Sequence, residues 1–173
     1  MAPDLAGSSA TVGSVIRLDS VSFRYRAATE PALSDVSLHI RPGDLVGLLG
    51  RSGSGRSTLA STLNGTIPHL ARGDLKGRVF LAGEDIHGRR PRDLADRVGF
   101  LFQDFEAQLF STNVALEVAF GPENLGLPRQ EIGRRVDQCL RLVGLYELRH
   151  KMPAGLSGGQ KQRLALASVL ALG

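Results

Sequence analysis

The chain has 173 residues, of which 42% are hydrophobic and 22% are charged, and its net charge is +4 at pH 7. These values are typical of one soluble globular domain with a sizeable core. No apolar run approaches the ~20 residues that a membrane span needs. The single cysteine, Cys139, excludes an internal disulfide and is typical of a reducing cytoplasm. Basic residues are interleaved with acidic ones and aromatic residues are few, which favours a solvated surface over a nucleic-acid interface.

The first half of the chain is predicted to be rich in strands. Residues 1–14 are small and polar, without the basic and apolar segments of a signal peptide, and they predict a loose tail. Apolar residues alternate over 15–25 and again over 33–40, which predicts strands with one buried face. Further elements are predicted as strands at 75–81 and 98–102 and as a short helix at 89–97.

The stretch from Asp44 to Thr58 organises this half of the chain. It begins with the apolar run Leu45–Leu49, which predicts a parallel strand buried on both faces. Glycines and serines alternate after it, and the apolar spacing then becomes helical until Asn64-Gly65, a natural helix end. Strand, glycine loop and helix together are typical of phosphate-binding sites, because main-chain N–H groups and a helix N-terminus attract an anion.

The loop departs at one position from the phosphate-loop template G-x-x-x-x-G-K-[ST]. Gly50, Gly55 and Ser57 match the template, but Arg56 stands where the template has lysine. Arginine keeps the positive charge, yet it is longer, planar and forked, so the exchange is not conservative in a tight loop. Taken alone, the loop leaves an ordinary glycine turn between a strand and a helix as the alternative.

The second half of the chain is predicted to be helical. One helix is expected over 112–120, ended by Gly121-Pro122, and a strongly amphipathic helix is expected over 129–143. A last helix is expected over 158–172. The string Leu-Ser-Gly-Gly-Gln at 156–160 starts it and predicts a second anion site, with a serine-capped helix start as the alternative. Two phosphate sites so far apart indicate that each one faces a different chain.

The string at 156–163, Leu-Ser-Gly-Gly-Gln-Lys-Gln-Arg, resembles the signature motif of the ATP-binding cassette (ABC) transporter family. Phe102-Gln103-Asp104 resembles the Q-loop of that family, and residues 50–58 resemble its Walker A loop. Tyr25 stands where the family has an aromatic residue that stacks on adenine.

A narrower resemblance lies in residues 107–111 and 117–127. These strings are similar to the ATPase subunits of energy-coupling factor transporters, which import vitamins and transition metals such as cobalt or nickel. The family resemblance as a whole covers residues 15–173.

The resemblance implies an α/β fold, with a P-loop NTPase core and an inserted α-helical ABC subdomain. It implies a nucleotide-binding core over 15–103, a helical subdomain over 104–156, and the signature motif with its helix over 157–173, after the tail at 1–14. The Walker B strand of the family, with its metal-binding aspartate and glutamate base, should come next, and so should the switch histidine. The sequence holds neither, so we expect a C-terminally truncated chain that lacks the C-terminal part of the core sheet.

The resemblance also implies which residues bind ATP and Mg²⁺. Tyr25 would stack on adenine, and Ser57 would give its hydroxyl to Mg²⁺. Gln103 would sense the γ-phosphate and the metal, and Gln103 and Arg56 are the candidate catalytic residues. Other nucleotide contacts would come from Gly50, Arg51, Ser52, Gly53, Ser54, Gly55, Arg56, Ser57 and Thr58, and from Ser157, Gly158, Gly159 and Gln160, which would close on ATP held by a partner.

The implied function is that of an ATPase subunit on the cytoplasmic face of the plasma membrane, which couples ATP binding and hydrolysis to vitamin or transition-metal uptake. The implied partners are a second ABC ATPase subunit, in a homo- or heterodimer with composite sites, a transmembrane coupling subunit and a substrate-binding membrane component, and no nucleic acid. We expect the chain by itself to be inactive, because Walker B is missing and Arg56 replaces the lysine.

Two alternatives remain open. One is a non-hydrolysing regulatory cassette that supports an intact partner ATPase, which Arg56 favours. The other is a soluble ABC ATPase of DNA repair or translation, which the string at 102–127 and the lack of coiled-coil heptads disfavour.

Overall fold

The structure, a computed structural model, describes residues 14–173. The predicted tail therefore lies, except for Ser14, outside the described residues. The chain divides into two compact units, one ending at Pro91 and one running from Arg92 to Gly173. The domain boundaries predicted after Gln103 and Leu156 both fall within the second unit, and they stay predictions.

The first unit is built on a four-stranded sheet in the order β2-β1-β3-β4, in which every pairing is antiparallel. The strands predicted at 15–25, 33–40 and 75–81 are confirmed. The alternation buries Leu18, Val21 and Phe23 on one face, and the pairing of β1 shifts register around Ser20, so β1 is one bent strand. The strands are β1 (Ile16–Tyr25), β2 (Leu33–Ile40), β3 (Gly73–Leu81) and β4 (Glu84–Asp85).

Two short helices accompany this sheet. Helix α1 (Arg56–Leu63) ends at Asn64, where the sequence predicted its end, and α2 (Thr66–His69) is a single turn interrupted at Ile67. Both contact β3, and Leu59 and Ile67 are buried with the apolar face of the sheet.

The strand predicted over Leu45–Leu49 is wrong. The described chain forms no strand between Ile40 and α1, and Leu45 and Leu49 are 101% and 95% exposed. A strand buried on both faces needs hydrogen-bonded neighbours, and none of the four strands pairs with this run. The strand predicted at 98–102 is also absent, and the rings of Phe100 and Phe102 there contact each other edge to face.

The second unit packs three helices around one core. They are α3 (Val114–Asn124), α4 (Arg129–Leu142) and α5 (Gly158–Leu170). The core consists of apolar residues from all three helices and from the turns between them: Val114, Val118, Ala119, Val136, Cys139, Leu140, Val143, Leu145, Leu156, Leu164, Ala167 and Ala171. Short 3-10 turns lie at Pro91–Asp93, Glu106–Gln108, Tyr146–Leu148 and Pro153–Gly155. The helix predicted at 89–97 is thus reduced to the first of these turns.

The sequence misplaced the end of α3. Gly121-Pro122 was expected to break it, yet the helix continues to Asn124 with Pro122 fully buried. Pro122 has no N–H, which removes a single helix hydrogen bond. Only two residues of the helix follow it, so this loss lies near the helix end.

The amphipathic stripe of α4 is confirmed. Val136, Cys139 and Leu140 face the core, and burial raises the pKa of the Cys139 thiol, as suits a packing role. On the exposed side, hydrogen bonds from Arg134 and Arg135 lower the pKa of Glu131 to about 2.

Candidate functional site

The loop ahead of α1 requires glycine at two positions, because a side chain there would clash with its neighbours. Gly55 has φ +85°, and a Cβ there would collide with the main-chain oxygen of Ala32. A Cβ on Gly50 would lie 2.5 Å from Ser54 Oγ. Because a side chain at either position would displace the loop, only glycine preserves this backbone path.

The N-terminus of α1 has features that suit an anion. Gly55 occupies the N-cap position, makes no side-chain capping bond, and the first turn holds no acidic residue. Asn113 caps α3 and Ser157 caps α5 through side-chain oxygens, whereas α4, which follows Pro128, also lacks a side-chain cap but has Glu131 in its first turn. The first N–H groups of α1 therefore have no side-chain acceptor at the cap, and the helix dipole adds positive potential there.

Arg56 and Ser57, the first residues of α1, are exposed at the loop. The Arg56 guanidinium donates from Nη2 to the main-chain oxygen of Arg51, at a long 3.4 Å. The positive charge of Arg56 thus lies beside the glycine loop, and this long hydrogen bond holds it only weakly. A cation that is to attract phosphate needs such freedom.

Tyr25, at the end of β1, is joined to this loop. Its Oη lies 3.0 Å from Oγ1 of the buried Thr58 in α1, and its ring meets Phe23 edge to face at 4.8 Å. Tyr25 as a whole remains 36% exposed. Beside it opens a surface pocket of about 370 Å³, lined by Arg24, Tyr25, Arg26, Arg72, Gly73 and Asp74.

The predicted aromatic residue and the predicted phosphate loop are therefore neighbours in the first unit. The sequence placed both Tyr25 and Thr58 in the nucleotide site but did not reveal that they touch. Residues 33 apart in the chain leave no local pattern that would have shown it.

The other predicted residues lie in the second unit. Gln103 is exposed in a turn between Phe102 and Asp104. Ser157 and Gln160 form a capping box: Ser157 Oγ accepts the Gln160 N–H at 3.4 Å, and Gln160 Oε1 accepts the Ser157 N–H at 2.9 Å. Gly158 and Gly159 are exposed in the first turn of α5. The serine-capped helix start that the sequence left as an alternative is thus present, and the second anion site stays a prediction.

The residues of the first unit fit a nucleoside triphosphate. The glycine loop would hold the phosphates, and the partly exposed Tyr25 ring offers a face to a base. Among residues 14–173, no group of three or more His, Cys, Asp or Glu could hold a metal ion by itself. The Ser57 hydroxyl, together with phosphate oxygens, would be an oxygen ligand for a magnesium ion at this loop. Within the same described range, no helix is both long and apolar enough to cross a bilayer.

Comparison with known proteins agrees with these motifs. A sequence profile of the family described as ABC transporter matches residues 33–173. A Pyrococcus abyssi protein named as an ABC transporter ATP-binding protein is 45% identical over 158 residues, which are 91% of this chain and 56% of that protein. A similarly named protein of Streptomyces coelicolor is 45% identical over 156 residues, 90% of this chain and 28% of that protein. The chain thus spans about half the length of the first relative and less of the second.

A solved structure is similar as well. The structure of cbiO1 from Clostridium perfringens, described as part of the ABC transporter complex cbiONQ, matches with a TM-score of 0.80 and 33% identity, over 92% of this chain and 62% of that chain. The predicted α/β ABC ATPase fold is therefore confirmed. With the profile spanning most of the described residues and the motifs in family order, the chain belongs to the ABC transporter family, as an ATP-binding domain.

Proposed function

We propose that this chain binds ATP with Mg²⁺ in the loop from Gly50 to Thr58, with the adenine on Tyr25. The observation that carries the proposal is the contact between Tyr25 and Thr58, which places an exposed ring beside an uncapped helix N-terminus and its glycine loop. A base and its phosphates are joined by a ribose, so a nucleotide site needs both features within the length of one nucleotide.

In the proposed mechanism the loop main chain binds and orients the phosphates, and Ser57 supplies an oxygen to the metal. Gln103 contacts the γ-phosphate side of the site, and Ser157–Gln160 closes on the nucleotide of a second ATPase subunit. ATP supplies a phosphoryl group whose transfer to water drives the transport cycle, so catalysis depends chiefly on positioning and on positive charge.

The proposed biological role is to power an importer of the energy-coupling factor type. Support comes from the similarity to cbiO1, which belongs to a transporter complex. The proposed partners are a second ATPase subunit, a transmembrane coupling subunit and a substrate-binding membrane component, at the cytoplasmic face of the membrane. Vitamins and transition metals are the proposed substrate class, and 15–103, 104–156 and 157–173 are the proposed functional divisions.

Titration with a fluorescent ATP analogue tests the nucleotide site. Aromatic contacts of this kind contribute about 1 kcal/mol, so Tyr25→Ala should weaken ATP binding roughly fivefold. Tripolyphosphate, which has no base, should bind the parent chain and Tyr25→Ala equally.

The matched control is Tyr25→Phe, which keeps the ring and removes only the hydroxyl contact with Thr58. It should lose less affinity than the alanine variant. Equal ATP affinity of the parent chain and Tyr25→Ala would show that the ring does not bind the base.

A second candidate is a non-hydrolysing regulatory cassette. The position of Arg56 favours it, because the guanidinium lies beside the loop but is longer than the template lysine and cannot take the same place between the phosphates. Such a chain would bind ATP and complete the site of its partner while turning over slowly itself. The turnover of Arg56→Lys, given in the Discussion, separates the two candidates.

A further inference from the structure

The loop that carries Gln103 is closed by a side chain of its own. Gln108 accepts the main-chain N–H of Phe102 on Oε1 at 3.1 Å, and its Nε2 lies 3.5 Å from the main-chain oxygen of Phe100. Phe102 directly precedes Gln103, so these contacts fix the backbone at the start of the loop.

The same loop is tied to the start of α5. Lys161 Nζ lies 2.8 Å from Glu106 Oε2, and the Lys161 side chain is only 22% exposed. The lysine directly follows Ser157–Gln160, and its own main-chain N–H bonds to the Ser157 oxygen at 2.9 Å. Because the capping box fixes that helix start, the ion pair joins a rigid turn to the loop across 55 positions of the chain.

We propose that Glu106, Gln108 and Lys161 are positioning residues that hold the Gln103 loop in register with the Ser157–Gln160 turn. The proposal rests on the proposed function, in which both segments act on nucleotide. Exposed ion pairs often contribute little. Here the pair is short, its lysine is largely covered, and Gln108 holds the same loop from the other side, so Gln103 keeps its place only while the loop stays anchored to α5.

Amide hydrogen exchange on the full chain tests the link directly. Lys161→Met keeps the approximate length of the side chain and removes its positive charge. Glu106→Gln removes the negative charge of the same ion pair. Each should speed exchange at residues 100–110 about two- to fivefold, the range expected for a partly exposed ion pair. Lys76→Met is the matched control, because Lys76 pairs with Asp74 at a distance of 3.9 Å in the first unit, and it should leave that segment unchanged.

A charge-reversed pair separates positioning from simple loss of stability. Lys161→Glu combined with Glu106→Lys should restore slow exchange at 100–110, whereas either reversal alone should not. In ATP turnover by the complete complex, Lys161→Met should lower kcat about two- to fivefold and leave KM unchanged, because the Tyr25 ring and the glycine loop are untouched.

Unchanged exchange at 100–110 in both single variants, or a reversed pair no better than its single variants, would overturn the link. Altered exchange and a restored reversed pair in a chain that binds no ATP would instead refute the proposed function and leave the link standing. Altered exchange with an unchanged kcat would overturn the positioning role.

Discussion

Two neighbouring residues, Gly55 and Arg56, shape the predicted phosphate loop. Gly55 gives the left-handed turn and the close approach to Ala32 that bring the loop onto the helix start. Arg56 brings a positive charge to the same place but with a forked group on a longer stem. Attraction for phosphate is retained, whereas the in-line geometry that transfer requires is sensitive to displacements of about 1 Å.

We therefore expect Arg56→Lys to raise ATP turnover at least ~10-fold, which corresponds to about 1.4 kcal/mol of transition-state stabilisation. A coupled phosphate-release assay on the complete complex measures it. Arg129→Lys, an exposed exchange at the start of α4, is the control for a general effect of lysine. Equal rates for the parent and Arg56→Lys would mean that arginine serves as well as lysine here.

Glu117 is an acidic residue inside an apolar core. It is 4% exposed on α3, and its Oε2 accepts the main-chain N–H groups of Phe110 at 3.0 Å and Ser111 at 2.8 Å. The sequence interpretation gave Glu117 no role of its own, although an acid flanked by Val114 and Val118 on a buried helix face was a visible signal. The carboxylate anchors the segment that leads into α3.

Replacing Glu117 with leucine should lower the free energy of unfolding by about 2 kcal/mol, because two main-chain N–H groups would lose the buried carboxylate that accepts their hydrogen bonds. Urea denaturation measures the change. Glu117→Gln keeps one side-chain oxygen and should cost less, and Glu123→Leu, on the exposed side of the same helix, should change little. A leucine variant as stable as the parent would show that Phe110 and Ser111 find other acceptors.

Helix starts differ in what their sequences allow. Ser157 and Gln160 have the spacing of a capping box, and the structure forms that box at α5. Helix α1 begins after a glycine and has no side-chain cap. One helix start is thus capped by its own side chains, and the other is not.

The run Leu45–Leu49 exposes several apolar side chains in one segment. Leu45, Val46, Leu48 and Leu49 are all exposed in one short segment, and contiguous exposed apolar surface drives association. The double variant Leu45→Lys with Leu49→Lys should self-associate less than the parent chain in sedimentation velocity. Leu142→Lys, at a single exposed leucine of α4, is the control and should change little. Unchanged self-association in the double variant would show that the chain associates through a different surface.

At a larger scale, the helical unit has a surface pocket beside two exposed aromatic rings. A cavity of about 400 Å³ lies among residues of α3, α5 and the segment before α3, with Phe110 and Phe120 on its rim. The two rings meet edge to face at 4.6 Å, and they are 63% and 44% exposed. Leu109, the neighbour of Phe110 in the chain, is partly buried against the core.

We propose that a helix of the transmembrane coupling subunit occupies this cavity in the complete transporter. Cysteine placed at Ser111, beside Phe110, should crosslink to that subunit. Cysteine at Asp137, on the exposed side of α4, is the control and should not. The buried native Cys139 is present in both variants. Crosslinks from position 137 alone would refute the placement.

Local patterns predicted much of this molecule correctly. The alternation in β1 and β2, the stripe of α4 and the capping box of α5 depend on residues a few positions apart, so a short window of sequence contains their cause. The phosphate loop was also predicted from a short string of glycines and serines, and its binding role stays a prediction. Family membership also followed from such strings, since Walker A, Q-loop and signature motifs are each short.

Contacts between residues far apart in the chain determined the features that the sequence did not predict. The apolar residues of Leu45–Leu49 indicated a buried strand. Burial, however, depends on which strands lie alongside, and none of the described strands pairs with this run. Tyr25 reaches Thr58, and Lys161 reaches Glu106, across 33 and 55 positions. Such contacts arise from the way packed elements bring remote side chains within hydrogen-bond distance, so they could be known only from the tertiary structure.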